Sequence, residues 1–190
     1  MSDTISLPLK ERKGDWFFIV FFSCFVFTSF ASDLVNAVSR PSPDSSYFWA
    51  RAVYDLYAVN NDPLLIANPI YMRVMCFLSA FVFGPFYLVL VYAFVRGKNW
   101  IRPLAFLYAG MILESMIVII VAEFAGDAQL FSQMCQAGVK PTEELARAGL
   151  NQDLTVQNPV KFLVFNLPYK IVPILLAIRM RAENPFSRKF

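Results

Sequence analysis

Four long apolar segments divide the chain, at about residues 16–38, 70–95, 103–125 and 159–180, and they are called spans 1 to 4 here. A helix needs about 20 apolar residues to cross the roughly 30 Å hydrocarbon core of a bilayer, and each segment is long enough. The pattern predicts an all-α fold in which residues 1–190 form one membrane domain, a four-helix transmembrane bundle. Prolines within spans 2 and 4 predict kinks, because neighbouring helices can satisfy the freed carbonyls.

The two connections on the outer side of the bundle are long, about 30 residues each, and both contain helix signals. In the first, apolar residues recur at helical spacing after a turn signal. They are Phe48, Trp49, Ala52, Val53 and Leu56. This spacing predicts a short helix at the headgroup boundary or above the bundle. The second connection contains Pro141-Thr-Glu-Glu, which predicts the start of another helix.

The basic residues are distributed unevenly between the two sides of the predicted bundle. Ten of the 17 lie at the N-terminus, in the loop after span 2 and at the C-terminus, whereas nine of the 14 acidic residues lie on the opposite, outer side of the bundle. By the positive-inside rule, both termini are expected on the cytoplasmic or equivalent inner side of the membrane.

Composition excludes several classes of function. With 57% hydrophobic and 16% charged residues the chain is too apolar to be disordered. A scattered net charge of +3 does not form a nucleic-acid footprint. The sequence contains no histidine, and its three cysteines have no C-x-x-C spacing, so we expect no metal site, no cofactor and no histidine-dependent catalysis.

Two opposite charges fall inside predicted spans. At about 1.5 Å of rise per residue, Glu114 lies about 16 Å from the inner end of span 3 and Lys170 about 12 Å from the inner end of span 4. Ionised groups inside a bilayer are costly, so they usually face the bundle interior. Two interpretations remain open. Either the residues form a structural ion pair that holds the two spans in register, or they line a cavity and one of them contacts a ligand.

Further polar residues flank these charges. Asp33 lies toward the outer end of span 1, where it is either an ordinary helix-end residue or an acceptor for a ligand amine or hydroxyl. Asn166 shares a helical face with Lys170 and could form a hydrogen bond into the pocket. Glu123 and Asp127, at the outer end of span 3, are expected to be interfacial charges.

Four short stretches carry a family resemblance. They are Asp33-Leu-Val-Asn-Ala-Val, Asn61-Asp-Pro-Leu-Leu, Tyr92-Ala-Phe-Val-Arg-Gly-Lys-Asn-Trp-Ile-Arg102 and Asn166-Leu-Pro-Tyr-Lys-Ile-Val-Pro173. In their order and spacing the chain resembles the EXPERA superfamily, meaning the emopamil-binding proteins, which are sterol isomerases, and the sigma-2 receptor. It looks closest to the sigma-2 receptor branch.

The resemblance implies a four-helix membrane bundle that encloses a pocket for sterols and cationic amphiphiles. In the sigma-2 branch an acid on span 1 contacts the ligand amine, and that position matches Asp33. The family's second pocket acid falls near Ser79 in this chain, so Glu114 would have to supply the missing charge. The expected ligand-binding residues are Asp33, Glu114, Asn166, Tyr169 and Lys170.

Three functions follow as expectations. The preferred one is a non-catalytic membrane protein that binds a sterol or another lipid. The first alternative is a structural or accessory subunit, within a homodimer or a larger membrane complex, that docks through residues around 129–158. The second is a sterol Δ8-Δ7 isomerase, which needs a proton donor and a base although Glu114 is the one candidate intramembrane acid. The family implies an endoplasmic-reticulum location, while the charge asymmetry fits a mitochondrial or bacterial inner membrane equally well.

Overall fold

The computed structural model describes residues 4–136 and 151–189. Four helices in these residues are long and apolar enough to cross a membrane. They are Asp15–Val38 (span 1), Ile70–Arg96 (span 2), Ile101–Ala125 (span 3) and Pro159–Arg179 (span 4). The predicted all-α four-span fold is therefore confirmed, with every boundary within two residues of the prediction. The helix predicted at Pro141 lies outside the described residues.

The spans pack mainly as two antiparallel pairs, span 1 with span 2 and span 3 with span 4. Span 4 also reaches span 1, where the rings of Phe25 and Tyr169 stack with their centroids 4.2 Å apart. Span 4 consists of two helical segments, Pro159–Asn166 and Pro168–Arg179. The break falls at Leu167, immediately before a proline, because the proline ring disfavours a regular helix at the preceding turn.

Spans 1 and 2 each contain a widened π-helical turn, at Ser29–Asp33 and Ser79–Phe83. The two turns pack against each other, with 3.3 Å between Ser29 Oγ and Ser79 Oγ. A Cβ at Gly84 would lie 3.2 Å from Ser29 Cβ, so the missing side chain allows the two helices to approach closely. Single π turns inside α-helices are frequent at functional sites.

Short helices cover the outer end of the bundle. Phe48–Val53 continues into the π turn Tyr54–Ala58, which confirms the helix predicted in the first outer connection, and Pro63–Ala67 follows it. Beyond span 3 the chain forms Ala128–Gln136. The segment Phe48–Ala58 is called the outer helix below.

The inner end joins the two termini. Strands Thr4–Ser6 and Ser187–Lys189 pair in antiparallel register, and a 3₁₀ turn at Leu9–Glu11 leads into span 1. Both termini therefore lie at the same end of the bundle, as an even number of spans requires. Which side of the membrane that end faces stays a prediction.

The buried apolar side chains form two clusters. The inner one is aromatic, with Phe22, Phe94 and Tyr87 fully buried among spans 1 and 2. The outer one, around Leu64, lies beneath the short outer helices. Residues of both clusters also line a cavity within the bundle.

Candidate functional site

A cavity of about 350 Å³ lies within the bundle, and residues from all four spans and the outer helix line it. Its wall is mostly apolar, and its volume falls within the usual range for small-molecule pockets. Three lining residues are also exposed on the outside of the helices, namely Phe27, Leu56 and Phe165. The cavity therefore extends to the lateral surface where spans 1 and 4 meet the outer helix.

Aromatic contacts connect the outer helix to both spans beside this opening. Phe27 on span 1 meets Trp49 edge to face with ring centroids 5.4 Å apart. On the other side, Tyr57 meets Phe165 of span 4 at 5.3 Å. Such pairs stabilise by about 1 kcal/mol beyond the area they bury, so the outer helix is held across the two spans.

Asp33 lies in the π turn of span 1 and lines the cavity. Its Oδ2 accepts a hydrogen bond from Ser79 Oγ, in the π turn of span 2. Ser79 lies near the position where the family resemblance places a second acid. At this position the chain thus has a hydroxyl donor that holds Asp33, and no second carboxylate.

Tyr169 on span 4 lines the same cavity. Its hydroxyl forms a hydrogen bond with Thr28 Oγ1 of span 1, and its ring stacks on Phe25 with an interplanar angle of 8°. The ring and the hydroxyl are fixed together, so Tyr169 forms a rigid part of the wall between spans 1 and 4.

A chain of hydrogen bonds connects span 4 to the first outer connection. Asn166 Nδ2 donates to Tyr57 Oη at 2.7 Å, and that hydroxyl donates to Asp62 Oδ2 at 2.8 Å. Asp62 also caps the helix that starts at Pro63, since its Oδ1 accepts from Leu65 N at 2.8 Å. Asn166, Tyr57 and Asp62 all line the cavity.

Sequence reasoning did not select Asp62, although it lies in the Asn61-Asp-Pro-Leu-Leu stretch. The sequence does contain a local signal for the position of the Asp62 side chain. An Asp directly before a proline at a helix start is a capping residue, which places its side chain in a defined position.

The carboxyl group of Glu123, near the outer end of span 3, is buried near Asp62, and the two groups interact electrostatically. Glu123 is fully buried and Asp62 is 3% exposed. The expectation that Glu123 is an interfacial charge was therefore wrong. The reason is tertiary, because residues 151–157 fold back over the end of span 3 and Val156 N donates to Glu123 O at 2.8 Å.

These two carboxyl groups have few other partners. Among the described residues, no donor reaches either Glu123 carboxylate oxygen in normal hydrogen-bond geometry, although the Leu64 amide approaches it. Burial raises the pKa of Asp62 above its ordinary value of 3.8. The pKa of the Tyr57 hydroxyl is raised well above 10.0, first by burial and then by the negative charge of Asp62. Tyr57 therefore remains a protonated donor at neutral pH.

A family model described as EBP, EXPERA (EXPanded EBP superfamily), matches residues 46–180. The chain belongs to the EXPERA superfamily. No curated protein matches it. The matched region of this EXPERA protein contains spans 2 to 4 and the outer helix, together with Asp62, Glu123 and Asn166, while Asp33 lies before it. With its four apolar helices, it is an integral membrane protein of helical fold.

The ion pair between Glu114 and Lys170 is contradicted. No salt bridge joins them anywhere in residues 4–136 and 151–189, and neither lines the cavity. Their depths match, but at about 100° per residue Glu114 points away from the face of span 3 that buries Ile112 and Met116. Glu114 is consequently exposed on the outside of the EXPERA bundle, and Lys170 is half-buried.

The structure thus brings together three of the five predicted site residues. Asp33, Asn166 and Tyr169 line one cavity, whereas Glu114 and Lys170 lie outside its wall. A ligand contact by any of the five stays a prediction.

Proposed function

We propose that this EXPERA protein is a non-catalytic membrane receptor of the sigma-2 type, which holds a sterol or another amphiphilic lipid in the cavity between its spans. The observation that carries the proposal is the mostly apolar cavity of about 350 Å³, into which a few polar groups converge. Apolar walls suit the body of such a ligand, and Asp33, fixed by Ser79, suits its amine or hydroxyl.

The lateral opening supports a lipid ligand in particular. Phe27 and Phe165 are exposed on the side of the helices that faces the bilayer, and both also line the cavity. A ligand dissolved in the membrane could therefore enter without crossing water.

Lipid analysis of the purified protein tests this function. Ala52 lines the cavity, and Ala125 is exposed at the end of span 3 away from it. We expect mass spectrometry to find one defined lipid per chain in the wild type and in Ala125→Trp, and little in Ala52→Trp. Equal amounts of mixed lipids in all three would show surface lipid alone and contradict a ligand cavity.

A second candidate function is an accessory subunit of a larger membrane assembly, and the position of Glu114 favours it. A carboxyl group in the middle of span 3 that faces outward is costly in lipid, and contact with another protein would remove that cost. Gly110 lies one turn earlier on the same face with open space where a Cβ would be, which permits close helix packing. Purification in mild detergent followed by mass determination tests it, and a monomer in both the wild type and Glu114→Ala would argue against it.

The sterol isomerase remains a third candidate because two carboxyl groups, Asp33 and Asp62, line the cavity. General acid-base catalysis needs one donor and one acceptor at the substrate. Conversion of a Δ8-sterol that is lost in Asp62→Asn would favour this function over the receptor, and a wild type without turnover would exclude it for that substrate.

By the distribution of basic residues and by family, we further propose that both termini face the cytoplasm and that the membrane is that of the endoplasmic reticulum. Protease protection of tagged termini in isolated microsomes checks the first point, since cleavage of both tags without detergent is the expected result.

A further inference from the structure

The face of span 3 that points away from the bundle carries a regular row of exposed residues. They recur at alternating spacings of three and four positions, and they are Leu107, Gly110, Glu114, Ile117, Val121 and Phe124. At about 100° per residue this row lies opposite Ala105, Ile112 and Met116, which span 3 buries in the bundle. Positions that repeat every 3.5 residues on average stay in line along a second helix that crosses at a small angle. The row, called the span 3 seam below, therefore has the pattern of a helix-docking surface.

Glu114 lies near the middle of this seam and of the bilayer. Eleven residues separate it from each end of the apolar segment 103–125, a distance of about 16 Å. An ionised carboxylate that faces lipid at this depth is costly. A counter-ion for Glu114 must itself lie deep in the bilayer, because a lysine or arginine side chain anchored at the headgroup level is shorter than this distance.

Lys170, the basic residue inside span 4, does not serve as that counter-ion. It has a similar depth, but in residues 4–136 and 151–189 no salt bridge joins it to Glu114. The side chain of Glu114 is exposed on the outside of the bundle. Charge complementarity at the seam therefore requires a basic group that is presented from outside the bundle.

The residues beside Glu114 are suited to a second helix. Gly110 lies one turn earlier on the seam, and the position where its Cβ would be has no atom within 4 Å. The backbone of a second helix can approach closely there, and Ile117 and Val121 offer apolar contact farther along. A second copy of this chain that docked through the same seam would be related by a two-fold axis, so the two Glu114 side chains would meet. Two carboxylates side by side repel each other, so symmetry disfavours a second copy.

We propose that the span 3 seam docks a transmembrane helix of another membrane protein, one that carries a lysine or arginine at mid-bilayer depth, and that Glu114 is the counter-ion that selects it. The inference rests on the second candidate function, the accessory subunit, and names the chemistry of its partner. Docking brings the two opposite charges together, so that neither faces lipid alone.

The probes are synthetic transmembrane peptides of leucine and alanine. One carries a lysine at its centre, another carries the lysine two turns from the centre, and a third carries norleucine in its place. Energy transfer from a dye on the peptide to a dye at the C-terminus of the full chain, in phosphatidylcholine vesicles, measures binding. We expect wild-type protein to bind the central-lysine peptide about tenfold more tightly than the norleucine peptide. The displaced lysine should give no such gain. Equal binding of all three peptides would overturn the proposal, and this comparison needs no variant of the protein.

Variants test whether Glu114 makes the selection. Glu114→Gln keeps the shape and removes the charge, so it should bind the central-lysine peptide no better than the norleucine peptide. Glu114→Lys should reverse the preference toward a peptide with a central glutamate. Gly110→Leu should weaken the central-lysine peptide, whereas Val89→Leu, at an exposed position of span 2, should not. A preference for lysine that persists in Glu114→Gln contradicts the proposal.

Self-association of the full chain is measured in the same vesicles, with two samples that carry different dyes. We expect the same degree in the wild type and in Glu114→Gln. Self-association that Glu114→Gln abolishes would make a second copy the occupant and overturn the proposal.

Failure of this inference can be told from failure of the functions proposed above. Wild-type protein that purifies in a larger assembly but shows no preference for the lysine peptide keeps the accessory function and contradicts this partner alone. A monomer in mild detergent without that preference contradicts both. The receptor function is tested separately, because none of the six seam residues lines the cavity.

Discussion

Ser79 on span 2 donates a hydrogen bond to Asp33 on span 1, and the two residues lie in π turns that pack against each other. The contact links the two spans at the cavity wall and fixes the direction of the carboxylate. It depends on the close approach that Gly84 allows beside Ser29.

We expect Ser79→Ala to lower the free energy of unfolding by about 1 kcal/mol, because it removes one interhelical hydrogen bond between partly buried groups. The variant should also weaken the binding of a sterol that carries an amine, since Asp33 loses its orientation. Thermal unfolding and calorimetry in nanodiscs measure the two effects. Ser32→Ala is the control, because Ser32 lines the cavity and, among the residues that the structure describes, its hydroxyl forms no hydrogen bond with Asp33. Equal losses in both variants would contradict the role of the Ser79 contact.

The second prediction concerns pH. In the folded protein the pKa of Asp62 is raised above its ordinary value of 3.8. The stabilisation that the Asp62 carboxyl group provides is therefore complete below about pH 3.8, and it is lost as the pH rises through the folded-state pKa. Other titratable groups also change the stability with pH, so the comparison is with Asp62→Asn. Relative to that variant, the wild type should become less stable as the pH is raised from 4 toward neutrality, by at most about 1.4 kcal/mol per pH unit.

Denaturant unfolding in detergent micelles at a series of pH values provides this measurement. Parallel curves for the wild type and Asp62→Asn would show that the carboxyl group titrates alike in the folded and unfolded states. Asp153→Asn serves as the exposed control and should follow the wild type.

The third prediction concerns the inner end. Asp15 is 1% exposed and forms ion pairs with Arg12 and with Arg179, the latter at 2.8 Å. Removal of one partner leaves buried charge uncompensated, so Asp15→Ala should lower the free energy of unfolding by about 3–5 kcal/mol. Glu11→Ala, an exposed acid nearby, should have little effect. Denaturant unfolding measures both, and a similar small effect of the two variants would show that Asp15 does not hold the termini together.

The fourth prediction follows from the absence of a bond between Glu114 and Lys170 in the described residues. The effects of Glu114→Gln and Lys170→Met on stability should add within about 0.5 kcal/mol. The pair Asp15 and Arg179 serves as the positive control, because residues in contact show coupling of about 0.5–3 kcal/mol. A double-mutant cycle from unfolding curves compares them. A coupling for Glu114 and Lys170 as large as that of the control would restore the ion pair.

Much of this architecture could be predicted without the structure. Span boundaries were predictable because a helix in lipid must satisfy its backbone internally, so about 20 apolar residues in sequence are enough to define it. The outer helix was predictable for a similar local reason, since Trp49, Val53 and Leu56 recur with helical spacing.

The candidate site was only partly predictable. Asp33, Asn166 and Tyr169 were found, because polar residues in apolar spans are conspicuous and a family resemblance supported them. Asp62 and Glu123 were missed as partners, since one lies in a connection and the other at a helix end, where charges are ordinary. Asp62 and Glu123 lie 61 positions apart in the sequence, so they come near each other only after the outer connections fold over the bundle.

The sequence by itself determined the number, length and approximate depth of the helices, because hydropathy and backbone hydrogen bonding are local properties. Only the tertiary structure decided which direction each polar side chain faces. Rotation about a helix axis and the folding of connections depend on packing between distant segments. For that reason Glu114, at the depth of the presumed site, faces outward, while Glu123 near the end of the same helix is enclosed beside Asp62.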